Sequence, residues 1–139
     1  MTCEHPYEHD ISQGGIGGAE IDIFESFRNK TYSKRDKIFS SVHCNGGDDN
    51  LDELDSKKVV ECRVPNMTEA YNTFGLMWTE EEYIFYVNGK ETGRSSFASG
   101  VSQVPEYVLI TLCIPDEITL DKSIKTTFTI DYVKIYQKL

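Results

Sequence analysis

No run of this 139-residue chain approaches the roughly 20 apolar residues that a membrane-spanning helix needs, and the N-terminus lacks the apolar segment of a signal peptide. Cysteine is sparse. Cys3, Cys44, Cys62 and Cys113 form no CxxC pair, which argues against a zinc site and leaves buried thiols as the default, with one disulfide open to an exported protein. Positive charge is short as well: 14 Lys and Arg face 23 Asp and Glu, giving a net charge of −9. That balance excludes nucleic acid and an anionic membrane surface as natural partners, but not a neutral polymer held by stacking and hydrogen bonds. Internal repeats, low-complexity linkers and long amphipathic helices are also missing. The acids Asp48, Asp49, Asp52, Glu53 and Asp55 crowd one polar stretch without the ligand spacing of a calcium loop, so they read as a solvated loop. Asn29-Lys30-Thr31 and Asn66-Met67-Thr68 match the glycosylation acceptor pattern, which is short and frequent by chance.

What is present is β structure. The chain is 39% hydrophobic and 12% aromatic, enough for one small core and one domain. Strands are predicted near Gly18–Phe27, Lys37–His43, Lys57–Arg63, Asn72–Trp78, Tyr83–Val87, Lys90–Phe97, Tyr107–Cys113 and Thr126–Gln137. Asn45-Gly46-Gly47, Asn88-Gly89 and Ser99-Gly100 separate them, and Val87-Asn88-Gly89-Lys90 has the form of a two-residue hairpin turn. Short helical turns fit at Glu69–Tyr71 or Asp116–Asp121. Many short strands with turns between them predict a sandwich or jelly roll.

The segment with the most chemistry is Glu20-Ile21-Asp22-Ile23-Phe24-Glu25. Its acids are spaced by apolar residues only, as a strand with one polar and one buried face would require. Strict alternation sends Glu25 into the core and Phe24 toward the acids. One extra residue, a β-bulge between Ile23 and Glu25, reverses both, leaving Ile21, Ile23 and Phe24 to the core. Three carboxylates then share one face. Like charges held close raise one another's pKa, which is how one acid stays protonated while another is ionised. The plain alternative is an exposed edge strand with its charges in water. Gly14-Gly15-Ile16-Gly17-Gly18, just upstream, suits a tight turn or a close backbone approach.

Gly18-Ala19-Glu20-Ile21-Asp22-Ile23-Phe24-Glu25-Ser26 resembles the signature of glycoside hydrolase family 16, whose members include endo-β-1,3-glucanases (laminarinases), lichenases, agarases and carrageenases. Two residues between Asp22 and Glu25 resemble the bulged, laminarinase-like branch. Tyr71–Thr79 with Tyr83–Gly89 resembles the family's hairpin after the catalytic strand, and Phe128–Gln137 its last strand. The resemblance runs from about Gly17 onward, leaving 1–16 unmatched within a single domain of 1–139. It implies an all-β, concanavalin A-like jelly-roll β-sandwich. Only about twenty residues precede Glu20, whereas such sandwiches commonly run to 200–250 residues, so the chain resembles the C-terminal half to two-thirds of a family domain. A sandwich lacking strands exposes core surface, and self-association or an altered sheet is the expected remedy. A compact soluble monomer with family-like strand order in sedimentation would sink the self-association version.

The resemblance implies a retaining hydrolase of β-1,3 or β-1,3/1,4 glucan, with Glu20 as nucleophile, Glu25 as general acid/base and Asp22 assisting between them. The partner is a β-glucan polysaccharide, no cofactor is required, and the full-length protein is expected to be secreted or on the cell surface. A non-catalytic truncated sandwich that binds glucan or only scaffolds is the alternative. Transglycosylation would use the same acids, and agar or carrageenan remains open as substrate, the acidic balance weighing mildly against the sulfated polymer. His43, in Ser40-Ser41-Val42-His43, is either an ordinary half-buried strand histidine or a substrate-site group facing the acids, as in bulged relatives; His5 and His9 carry no such signal. A structural calcium, if present, would take Asp131, which matches the position of a ligand in some family members. Among aromatics, Trp78 reads as core beside Leu76 and Met77, while Tyr7, Tyr32 and Tyr107 are open candidates for a sugar platform.

Overall fold

The computed structural model describes residues 15–26, 36–44, 55–96, 100–112 and 127–137. Tyr7, Tyr32, His5, His9, the acidic cluster from Asp48 to Glu53, Asn29, Cys3, Cys113 and the 116–121 turn therefore lie outside the described residues. Among the described residues there are six strands: β1 Glu20–Glu25, β2 Lys37–Cys44, β3 Asp55–Arg63, β4 Phe74–Trp78, β5 Tyr83–Val87 and β6 Lys90–Ser95. They form two antiparallel three-stranded sheets, ordered β1-β2-β3 and β4-β5-β6. The fold is all-β, as the alternation and turn spacing require.

The two sheets meet over one apolar cluster. Val42 and Val60 come from the first sheet, Tyr83 and Phe85 from the second, and Ala19 and Val101 close it from flanking loops. β6 approaches β3 so closely that a Cβ at Gly93 would lie 2.9 Å from Val60 Cγ2 and 3.2 Å from the Val59 carbonyl. Only a residue without a side chain permits that distance. Phe24 of β1 stacks on Phe74 of β4, with ring centroids 4.2 Å apart, and ties the opposite side of the two sheets. The β5–β6 turn has Asn88 at φ 50° and Gly89 at φ 75°, the paired positive values that an Asn-Gly hairpin turn supplies.

Three expectations are corrected. The segments predicted as strands at Tyr107–Cys113 and Thr126–Gln137 hold no strand among their described residues, 107–112 and 127–137. Alternation fixes which side chains could share a face, but a strand exists only where a ladder of backbone hydrogen bonds engages it. Large apolar groups there are solvent-accessible, Leu109 and Tyr136 among them. Residues 108–139 also form a compact unit separate from 1–107. Trp78 is not a core residue. It is 39% exposed, and its indole N–H donates to the Ser102 carbonyl at 3.0 Å. Its neighbour Met77 is exposed too, and β4 pairs with β5 alone among the described residues, which leaves the indole open along one side. Ile23, assigned to the core face, is exposed, for a reason given by the bulge below. The turn near Glu69–Tyr71 is present, closed by the Glu69 and Ala70 amides on the Asn66 carbonyl.

Candidate active site

β1 pairs with β2 through Glu20 opposite His43, Ile21 opposite Val42 and Asp22 opposite Ser41, then resumes with Glu25 opposite Phe39. Between Asp22 and Glu25 two residues of β1 face one of β2, so the strand carries the extra residue its acid spacing demands. Directly opposed residues of an antiparallel pair share a face. Glu20, Asp22 and Glu25 therefore stand on the same face as His43, Ser41 and Phe39. The bulge offers two side chains, Ile23 and Phe24, for the one inward place opposite Ser40. Phe24 takes it and stacks on Phe74, and Ile23 is displaced toward solvent.

A bulge frees backbone groups from the ladder, and a buried carbonyl without a partner is costly. The Ile23 carbonyl accepts a hydrogen bond from Ser40 Oγ at 2.8 Å, and Ser40 is 1% exposed. A serine in the middle of a buried strand had no apparent purpose in the sequence; its purpose is to complete the bulge. Upstream, Gly18 takes φ 140°, a value side-chain-bearing residues rarely adopt, and turns the chain into β1.

The acids are not an inert row. His43 Nε2 lies 3.1 Å from Asp22 Oδ2, and its Nδ1 lies 2.6 Å from Ser56 Oγ on β3. A carboxylate can only accept, so Nε2–H is directed at Asp22, while Nδ1 faces the Ser56 hydroxyl, which can donate to it or accept from it and fixes the ring's orientation. Ser56 pairs with His43 across β2 and β3 and was not legible as a site residue. Asp22 is pushed above the ordinary carboxyl value, first by burial and then by Glu20, while His43 pulls it back. Glu25 is pushed up by burial first and by Asp22 next, with a smaller push from Glu20; His43 and the long Ser41 Oγ contact at 3.5 Å oppose this. Glu20 is exposed at the start of the strand.

Further along the same face, Glu61 is opposite Phe39 and binds both Lys37 and Lys58, which hold its carboxyl down at about 2. The ion pairs lie one strand beyond the acid row, on the β2–β3 side. Tyr107 is exposed, as a sugar platform must be, but it belongs to no strand. Among the described residues, which include Asp131, no group of three His, Cys, Asp or Glu could hold a metal ion. Cys62 is a half-buried thiol whose pKa burial raises, and Cys44 is buried.

Carboxyl groups set in a row, with burial and neighbouring acids raising the proton affinity of Asp22 and Glu25, are the equipment of enzymes that cleave glycosidic bonds with a pair of acids. The family model for glycosyl hydrolases family 16 matches residues 11–134, and the chain belongs to that family. No curated protein and no solved structure matches the chain. Membership carries glycoside hydrolysis and a polysaccharide substrate as general properties of the domain.

Proposed function

We propose that the domain is an endo-acting, retaining β-glucanase of the bulged, laminarinase-like branch, cleaving β-1,3 or mixed β-1,3/1,4 glucan outside the cell or at its surface. The observation that carries the reading is the bulge, which returns Glu25 to the face of Glu20 and Asp22. Four residue steps along β2 separate the partners of Glu20 and Glu25, so their backbones stand on the order of 13 Å apart. Retention needs the two carboxyls at about 5–5.5 Å, which glutamate side chains reach by leaning toward the residue between them.

In this scheme Glu20 attacks the anomeric carbon and forms the glycosyl-enzyme bond as the glycosidic C–O bond breaks. Glu25 gives its proton to the leaving oxygen, then takes one from the water that hydrolyses the intermediate. Burial and the neighbouring acids favour the protonated Glu25 that the first step needs. Asp22 lies between the two acids and is held by His43, so it can share a hydrogen bond with Glu20, donating to the nucleophile's carboxylate when protonated, as that charge rises and falls. His43, turned by Ser56, lies where it can also meet a sugar hydroxyl.

Reducing-sugar release from laminarin, lichenan and agarose tests the proposal, with Glu20→Gln as control. Release from the first two and a loss on the order of 10⁴-fold in the variant are expected. Full activity in Glu20→Gln removes Glu20 from the mechanism. No release from any polymer, with glucan still bound, would instead support a non-catalytic binding domain. Sedimentation of the same sample tests whether a second copy covers exposed apolar surface.

A further inference from the structure

The geometry points to Glu106 as a positioning residue for the acidic strand, fixing the backbone immediately before Glu20. The role rests on the reading of Glu20 as nucleophile; the contact itself does not. The Ala19 amide donates to Glu106 Oε1 at 2.9 Å, across 87 residues of sequence. The same oxygen accepts from Ser102 Oγ at 2.7 Å. Ser102 is anchored in turn: its amide donates to the Tyr83 hydroxyl at 2.7 Å, and its carbonyl receives the Trp78 indole N–H at 3.0 Å. Ser102 is 1% exposed and Tyr83 fully buried, so the chain of bonds runs from the centre of the core to the first residue outside β1.

Ala19 needs such a partner. The pairing of β1 with β2 begins at Glu20 opposite His43, one residue later, and Ala19 is only 9% exposed. Its amide is thus beyond the ladder and nearly out of reach of water, where an unmade hydrogen bond is costly. Backbone atoms could have supplied the acceptor. A carboxyl group supplies it instead, from a loop that is itself bonded to a core tyrosine. Gly18, at φ 140°, directs the chain toward that oxygen. Glu20 is therefore held on its entering side by Glu106 and opposite His43 across the sheet. The strand's exposed first side chain gains a fixed base without burying itself. Loss of that base would let the nucleophile shift, and displacements near 1 Å cost about 10²-fold in rate.

The test uses the full chain, with hydrogen exchange at the Ala19 amide beside steady-state kinetics on laminarin. Glu106→Ala is expected to strip protection from Ala19 while the amides of β5 keep theirs. It should lower kcat by about 10–100-fold and leave KM within about twofold, because an orientation is lost rather than a sugar contact. Glu106→Gln keeps an oxygen acceptor at the same place and should recover most of both losses. If Glu106→Ala does not fold, Ser102→Ala, which removes one of the two donors that orient the carboxyl, should give a partial loss of Ala19 protection. Unchanged protection in Glu106→Ala overturns the proposal, as does a Glu106→Gln variant no better than alanine. A wild-type chain that releases no sugar sinks the glucanase reading alone, since the Ala19 amide decides the anchor without turnover.

Discussion

The two sheets differ in where their irregularity falls. The β4-β5-β6 sheet has a two-residue turn, consecutive pairing from Phe74–Val87 to Trp78–Tyr83, one register shift between Phe85 and Tyr86 in its β5–β6 pairing, and apolar side chains at its centre. The β1-β2-β3 sheet is shifted in register in both of its pairings and buries Ser40 and Ser41 beside valine and isoleucine. Each sheet holds a register shift, but only the β1–β2 shift falls among the carboxyls. The difference teaches where the acids' environment comes from. Burial, the dominant influence on both Asp22 and Glu25, arises in the β1-β2-β3 sheet, and the β4-β5-β6 sheet supplies the surface against which the β1 bulge is packed.

If that division holds, damage to the β3–β6 contact, away from the carboxyls, should cost stability alone. Gly93→Ala places a methyl group against Val60 and the Val59 backbone, and is expected to destabilise by about 2–3 kcal/mol in urea denaturation. The titration of Asp22 and Glu25, followed by carboxyl NMR, should hardly move. A large shift in either acid would show that the two sheets do not divide the work.

Ser40→Ala is the matched insult on the other side. It leaves the Ile23 carbonyl without its donor in a partly buried setting, for an expected loss of about 1 kcal/mol. Unlike Gly93→Ala, it should also disturb Glu25, because the bulge sets which way that side chain points. Unchanged Glu25 titration in this variant would mean that the bulge holds its shape without the serine.

The smallest effect expected is a gain. Glu25 has its pKa raised above the ordinary 4.5, mainly by desolvation and then by Asp22. A raised carboxyl lends stability that is fully present below the unfolded value and is lost as pH rises through the folded value. At neutral pH the folded protein thus bears a cost for the ionised group, reduced because the group is partly solvated. Glu25→Gln removes that cost. Its denaturation midpoint should exceed that of the parent at pH 7, and the gap should close below about pH 4. A variant less stable than the parent at pH 7 would show that the carboxylate makes contacts worth more than its desolvation.

Legibility in the sequence follows the same division. The Asn88-Gly89 turn and the strands on either side of it are local matters, and the letters alone place them. The acid spacing also carried its bulge, since only one arrangement keeps Glu25 with Glu20 and Phe24 inward. Partners at long range were invisible. Nothing near Ser40 says that it will serve a carbonyl 17 residues earlier, and nothing near Glu106 points to Ala19. His43 could be suspected from its strand, but its hold by Ser56 depends on the β2–β3 register, which is itself shifted by a bulge between Ser40 and Ser41. The alternation in 127–137 shows the limit of pattern reading. It describes a segment able to be a strand, and pairing decides whether it becomes one.

The extra residue in β1 makes the acid row sensitive to length as well as to chemistry. Substitution at Ile23 or Phe24 changes packing but leaves Glu25 where it is along the chain. Deletion of either would remove the bulge and leave Glu25 on the acid face by plain alternation, whereas insertion of one more residue would have to be absorbed by a wider bulge or would turn Glu25 to the opposite side of the sheet. For anyone reshaping this domain, the separation between the first and last acid is thus an adjustable count of residues. Phe24, clasped against Phe74, is the tooth that keeps that count from slipping.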